Sequence, residues 1–260
     1  MNPLLSSCAI AFSTYSRIPM PQVEWNERNM RHTLAFFPLV GAAVGAVFWL
    51  AAALCSLLEI HSILRAALLT AVPIAVTGGI HLDGYCDTVD ALASHAPREK
   101  KLVILKDSSA GAFAVIWCCV WVLLYFGLLT ELESTSTAAA CFILSRCLSA
   151  MGVEHLPSAR PISGPQAGMG SELKRSSRFP WWTLGLYAAL WAGAVSLWGD
   201  WAAGLAAAAG AVGFYFLYQH IARKQFGGFT GDLAGWFLQI CELVMLAAIV
   251  LAERIMAVWF

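Results

Sequence analysis

The sequence predicts an all-α, polytopic integral membrane helix bundle: one domain, residues 1–260, about seven transmembrane helices and long motif-bearing loops on one side. Three observations predict it. Of 260 residues 59% are hydrophobic, only 12% are charged with a mean hydropathy of +0.69, and apolar runs recur along the chain. A soluble domain carries about a quarter charged residues. Half that load cannot coat a globule of this size, so an ordinary soluble protein, a disordered chain and a disulfide scaffold are excluded. Sixteen basic and sixteen acidic side chains cancel, whereas nucleic-acid binding needs a basic surplus. The eight cysteines sit mostly in apolar runs without a CxxC pair. They read as small buried hydrophobes, with no disulfide framework or zinc site.

A crossing needs about 20 mainly apolar residues. The first ten residues are apolar, but Pro3 and the polar Ser13–Arg17 stretch leave that segment too short. It reads as an interfacial or re-entrant piece, without the charged start and cleavage site of a signal peptide. Residues 34–57 form the first span, 64–82 the second and 111–130 the third. The fourth, 137–153, is the weakest, because it carries Ser145, Arg146 and Ser149. Spans at 181–198, 201–220 and 236–258 complete the seven.

If the spans alternate, one side collects Arg17, Arg28, Arg31, Arg98, Lys100, Lys101, Lys106, Arg160, Lys174, Arg175, Arg178, Arg223 and Lys224. The other side keeps Arg65 and Arg254. Positive residues favour the cytoplasmic side, so the N-terminus and the long loops are expected there and the C-terminus outside. Function concentrates in loops that a rigid scaffold presents. The cytoplasmic face is the expected working face.

The first motif runs Gly78-Gly79-Ile80-His81-Leu82-Asp83-Gly84-Tyr85-Cys86-Asp87-Thr88-Val89-Asp90. On a helix, Asp83, Asp87 and Asp90 form one carboxylate stripe. Like charges on one face repel unless a cation neutralises them, and oxygen ligands of this kind favour Mg²⁺. A solvated helix face is the plain alternative, but such a face would mix in Lys or Arg, and none occurs between residues 78 and 97.

The second motif, Lys106-Asp107-Ser108-Ser109-Ala110-Gly111, opens the third span. Asp107 and the serines suit a helix N-terminus, which attracts anions, and Lys106 adds a cation. A plain helix cap explains it equally well. The third motif, Phe226-Gly227-Gly228-Phe229-Thr230-Gly231-Asp232, precedes the last span. Its glycines allow a ligand close to the backbone, and Asp232 is expected to cap the helix. Asp232, Gly235, Gln239 and Glu242 share one helical face, with Glu242 about 15 Å deeper. An acid at membrane depth normally faces a partner, and Arg146 is the basic residue at comparable depth. Arg160–Gly170 reads as a Gly/Pro-rich lid or linker.

Together the motifs resemble the cobalamin synthase (CobS) family. GGIHLDGYCDTVDAL resembles its G-G-x-H-L-D-G-x-x-D-x-x-D signature, and KDSSAG its R-D-S-x-x-G, with Lys106 in place of arginine. GGFTGD followed by Glu242 is similar to its G-G-x-T-G-D segment, with Gln239 where the family usually has a first glutamate. The resemblance implies transfer of α-ribazole or its 5′-phosphate onto adenosylcobinamide-GDP at a bacterial cytoplasmic (inner) membrane, with GMP leaving and Mg²⁺ required. It implies metal ligation by Asp83, Asp87 and Asp90 and catalytic roles for these and Asp232. Substrate contacts are expected from His81, Lys106, Asp107, Ser108, Gly111, Gly228, Thr230, Gly231 and Arg146, with Glu242 and Gln239 structural or supporting. The partners would be these substrates and the lipid bilayer, not nucleic acid. Self-association and contact with other nucleotide-loop assembly enzymes stay open.

Two other readings share features of the chain. A CDP-alcohol phosphotransferase or a prenyl-transferring enzyme would use the same Mg²⁺–diphosphate site, although the Ala-Arg of the former's aspartate pattern is absent. An ion or proton transporter would use Glu242, Arg146 and the aspartates as a relay. Most acids, however, cluster near helix ends, and the spans show no inverted repeat.

Overall fold

The computed structural model describes residues 2–107, 109–160 and 169–259. Its helices, in order, are α1 (Pro3–Tyr15), α2 (Glu27–Met30), α3 (Thr33–Leu57), α4 (Ser62–Thr77), α5 (Ile80–Ala93), α6 (Arg98–Ile104), α7 (Ala112–Glu131), α8 (Thr135–His155), α9 (Met169–Ser176), α10 (Trp181–Trp198), α11 (Trp201–Ile221) and α12 (Gly231–Trp259). A π-helical turn, Ala222–Phe226, extends α11. No strand occurs among the described residues.

Among the described residues five helices are long and apolar enough to cross a membrane: α3, α7, α8, α11 with its π turn, and α12. The α4–α5 pair, bent by 93°, would make a sixth. Six of the seven expected spans fall on single helices and the second on the bent α4–α5 pair, but the count of seven is not confirmed. α10, with Trp181, Trp182, Trp191 and Trp198, is not among the helices that qualify.

The second span departs from expectation at its end. α4 stops at Thr77, and Gly78 (φ 66°) and Gly79 (φ 79°) turn the chain before α5 starts. Positive φ is cheap only for glycine, so this pair is where a sharp turn can form. Residues 80–82 therefore belong to α5 and not to the span. α5 carries three carboxylates and exposes Asp83, so we place it outside the hydrocarbon, against the bundle end.

The polar fourth span is the best buried, with 78% of its window inside the protein. Ser145, Arg146 and Ser149 are all buried. They fit there because α8 is surrounded by α3, α10, α11 and α12 rather than by lipid. α1 is too short to cross, as expected, and packs on α3.

Hydrogen bonds sort the loops into two opposite ends. At one end Arg65 donates to Thr135 (2.6 Å), Glu253 accepts from the Glu133 and Ser134 amides, and the Asp200 amide donates to Thr137. At the other end the Arg17 amide donates to the Val76 carbonyl, the Arg178 amide to the Arg31 carbonyl and the Phe229 amide to the Pro157 carbonyl. All three motifs lie at this second end, with most of the basic residues.

Candidate active site

The site is built where α5 crosses α12. A Cβ on Gly84 would lie 2.8 Å from the Asp232 carbonyl oxygen and 3.0 Å from its Cα. A Cβ on Gly235 would lie 2.8 Å from the His81 carbonyl oxygen. Only glycines allow this approach, which sets Asp83 and Asp87 beside Asp232. The first and third motifs thus meet where Gly84 packs on Asp232.

The expected stripe forms on α5, and its members differ. Asp83 is exposed, and Asp87 and Asp90 are half-buried. Burial, then the charges of Asp83, Asp232 and Asp90, push the Asp87 carboxyl up to about 7, opposed by Arg160. Carboxylates crowded in this way favour either a proton or a cation. Asp90 is differently engaged. Its Oδ2 accepts the Gly111 amide N–H at 2.6 Å and its Oδ1 accepts Ala114 at 2.9 Å.

Asp90 therefore caps α7, and Asp107 does not. Asp107 instead accepts the Ser109 amide at 2.9 Å in a local turn. The reason is geometric: α7 starts at Ala112 with Gly111 in its N-cap position, so Asp107 lies four residues before the cap. Gly111 touches Asp90 so closely that a Cβ would sit 2.7 Å from both oxygens. Lys106 and Asp107 are exposed at the same end. Ser108 lies outside the described residues, as does most of the expected lid, 161–168.

The third motif also caps differently from expectation. Thr230 Oγ1 accepts the Leu233 amide at 3.2 Å and starts α12, leaving the Asp232 carboxylate available. That carboxylate faces Arg160 at 3.4 Å. Gly228 brings the strand-like loop against Pro157, since a Cβ there would lie 2.1 Å from the Pro157 carbonyl. The Phe229 amide then donates to Pro157 (2.7 Å) and the Ala159 amide to Phe229 (3.0 Å), which fixes Arg160 next to Asp232. Gly231 has open space beside it.

Sequence reasoning did not single out Arg160 as a site residue. Its guanidinium also donates to the Leu102 carbonyl, and its buried Nε has no partner among the described residues. The available signal was its place at the head of a Gly/Pro-rich stretch. The Arg98 guanidinium lies against Gly227 of the third motif.

His81 is buried between Tyr15 and Phe37, each with its ring centroid 6.0 Å away. Its Nε2 has no partner among the described residues. Arg146 lies deeper, paired with Glu242, which also accepts from Ser145 at 3.2 Å. This is the structural pairing the sequence left open, and it keeps Arg146 in the core rather than beside the aspartates. Gln239 is buried, and its side-chain oxygen has no partner among the described residues.

Beside Asp83 opens a groove of about 410 Å³, lined by Gly78, Gly79, Leu82, Asp83, Cys86 and Cys118. Among the described residues no three His, Cys, Asp or Glu side chains converge as a closed metal-ligand set. Asp83, Asp87 and Asp232 instead form an open carboxylate edge faced by Arg160. An open edge of this kind suits Mg²⁺, which takes one or two carboxylates and completes its shell with substrate phosphates and water.

Residues 7–250 match the CobS family, described as cobalamin-5-phosphate synthase. The chain is 40% identical over 256 residues to a protein of Lachnoclostridium phytofermentans named adenosylcobinamide-GDP ribazoletransferase, covering 96% of this chain and 95% of the relative. A Desulfitobacterium hafniense protein of the same name is 34% identical, covering 94% and 96%. One from Listeria monocytogenes is 34% identical, covering 91% and 94%. No solved structure matches the chain.

Proposed function

The chain belongs to the CobS family, and from that premise we propose how its α5–α12 crossing carries out the reaction. The protein is an adenosylcobinamide-GDP ribazoletransferase of cobalamin nucleotide-loop assembly, built as a multi-pass membrane protein. A ribazole hydroxyl oxygen bonds to the phosphorus next to the cobinamide. The phosphoanhydride bond to GMP breaks, and GMP keeps the bridging oxygen. The hydroxyl proton passes to a base.

The carrying observation is the approach of Gly84 to Asp232, which gathers Asp83, Asp87 and Asp232 opposite Arg160. Mg²⁺ fits the open edge of Asp83, Asp87 and Asp232 and would supply charge neutralisation at the diphosphate. Arg160 would add a cation for the phosphates, and we assign the hydroxyl proton to Asp232 as base. Asp90 acts as a positioning residue, since it ties α5 to the start of α7. We place this end of the bundle in the cytoplasm of a bacterium, at the inner membrane, because most basic residues gather there. α-Ribazole or its 5′-phosphate is the acceptor.

The test is incubation of the purified protein with adenosylcobinamide-GDP, Mg²⁺ and α-ribazole. GMP should appear only when α-ribazole is present. GMP release that ignores α-ribazole would replace this reading with simple diphosphate hydrolysis.

A further inference from the structure

The motif end of α11 carries a cationic groove that the reaction does not use. It is about 480 Å³ in volume and lined by Phe216, Gln219, His220, Arg223 and Lys224. Arg223 and Lys224 are exposed, and among the described residues neither forms an ion pair. Arg223 is held by the Gln219 side-chain oxygen at 3.3 Å. Directly towards the bundle middle, Phe216 (65% exposed) and Leu217 (51%) present apolar surface outward.

The polarity changes along one helix within two turns, from exposed aromatic and aliphatic groups to exposed cations. A phospholipid changes in the same order, from acyl chain to phosphate. The π-helical turn shapes this end. Its inner side is anchored, with Phe226 buried and Gln225 accepting from Lys101 at 2.5 Å, while Arg223 and Lys224 remain on the outside.

We propose that this groove binds the phosphate headgroup of an anionic phospholipid, with its chain along Phe216 and Leu217. Basic residues at a membrane face attract anionic lipid, and each is worth roughly fivefold in affinity. Such a lipid would brace the turn, because the Gly227 amide donates to the Arg223 carbonyl at 3.1 Å and the Gly228 amide to Ala222 at 3.0 Å. The proposal does not rest on the assigned reaction.

Native mass spectrometry of the full chain with equal phosphatidylglycerol and phosphatidylcholine provides the test. The wild type should retain the anionic lipid in preference, and Arg223→Gln with Lys224→Gln together should reduce that preference by roughly 30-fold. Each single variant should lose part of it, and melting temperatures in lipid-free detergent should stay unchanged. Equal retention of the two lipids by the wild type, or an undiminished preference in the double variant, would overturn the proposal. Displacement of the bound lipid by inorganic phosphate would also overturn it, in favour of a free-anion site.

Discussion

Asp90 and Gly111 are joined across 21 positions of chain, the Gly111 amide donating to Asp90 Oδ2 at 2.6 Å. This contact ties the aspartate helix to the start of a membrane-crossing helix. Gly111→Ala would put a methyl group 2.7 Å from both carboxylate oxygens. It should break the cap and cost about 0.5–2 kcal/mol, the range for a lost helix N-cap. Asp90→Ala should cost a similar amount, while Asp90→Asn keeps one acceptor and loses less. Thermal unfolding in detergent, compared across the three variants, checks the ranking.

The carboxylate stripe was legible because spacings of +4 and +7 place Asp83, Asp87 and Asp90 on one helical face whatever surrounds it. The partition of duties along it was not legible. Nothing in the spacing shows that Asp90 turns to Gly111, or that Gly84 and Gly235 bring α5 against α12. Those contacts depend on which helices pack together. Arg160 was missed for the same reason, since it reaches Asp232 across 72 positions. The seven apolar runs located their helices, yet hydropathy alone counted Ile80–Leu82 as part of a span. The local cue, two successive glycines, marks the turn.

Glu242→Gln should destabilise the protein by about 3–5 kcal/mol, the scale of breaking a buried ion pair, because it strands the buried Arg146. Replacing both partners with apolar residues, Arg146→Met with Glu242→Leu, should recover most of that loss. Melting of the purified single and double variants reads this out. A stable but inactive Glu242→Gln protein would instead assign the pair to the reaction.

In metal-free buffer, stability should fall as pH rises between the ordinary carboxylate range and about 7, through ionisation of Asp87. The sign follows from proton binding: over this window the folded state holds a proton that the unfolded state has released, so raising pH favours unfolding. Asp87→Asn should flatten this part of the profile. Calorimetry or fluorescence melting from acid to neutral pH measures it.

Mg²⁺ should raise the melting temperature at neutral pH, and more so with a diphosphate ligand present, because each supplies part of the other's shell. Asp83→Asn should weaken the Mg²⁺ response while leaving the metal-free melt nearly unchanged. Melting curves over a Mg²⁺ series check both.

The most direct measurement is turnover of the wild type beside Asp83→Asn and Asp232→Asn, with GMP and corrinoid product both quantified by chromatography. The wild type should form the two products in equal amounts. Each variant should lose at least about 10²-fold, the scale of a lost metal contact or general base, at an unchanged melting temperature. Near-wild-type turnover by both folded variants would contradict a reaction site at the α5–α12 crossing.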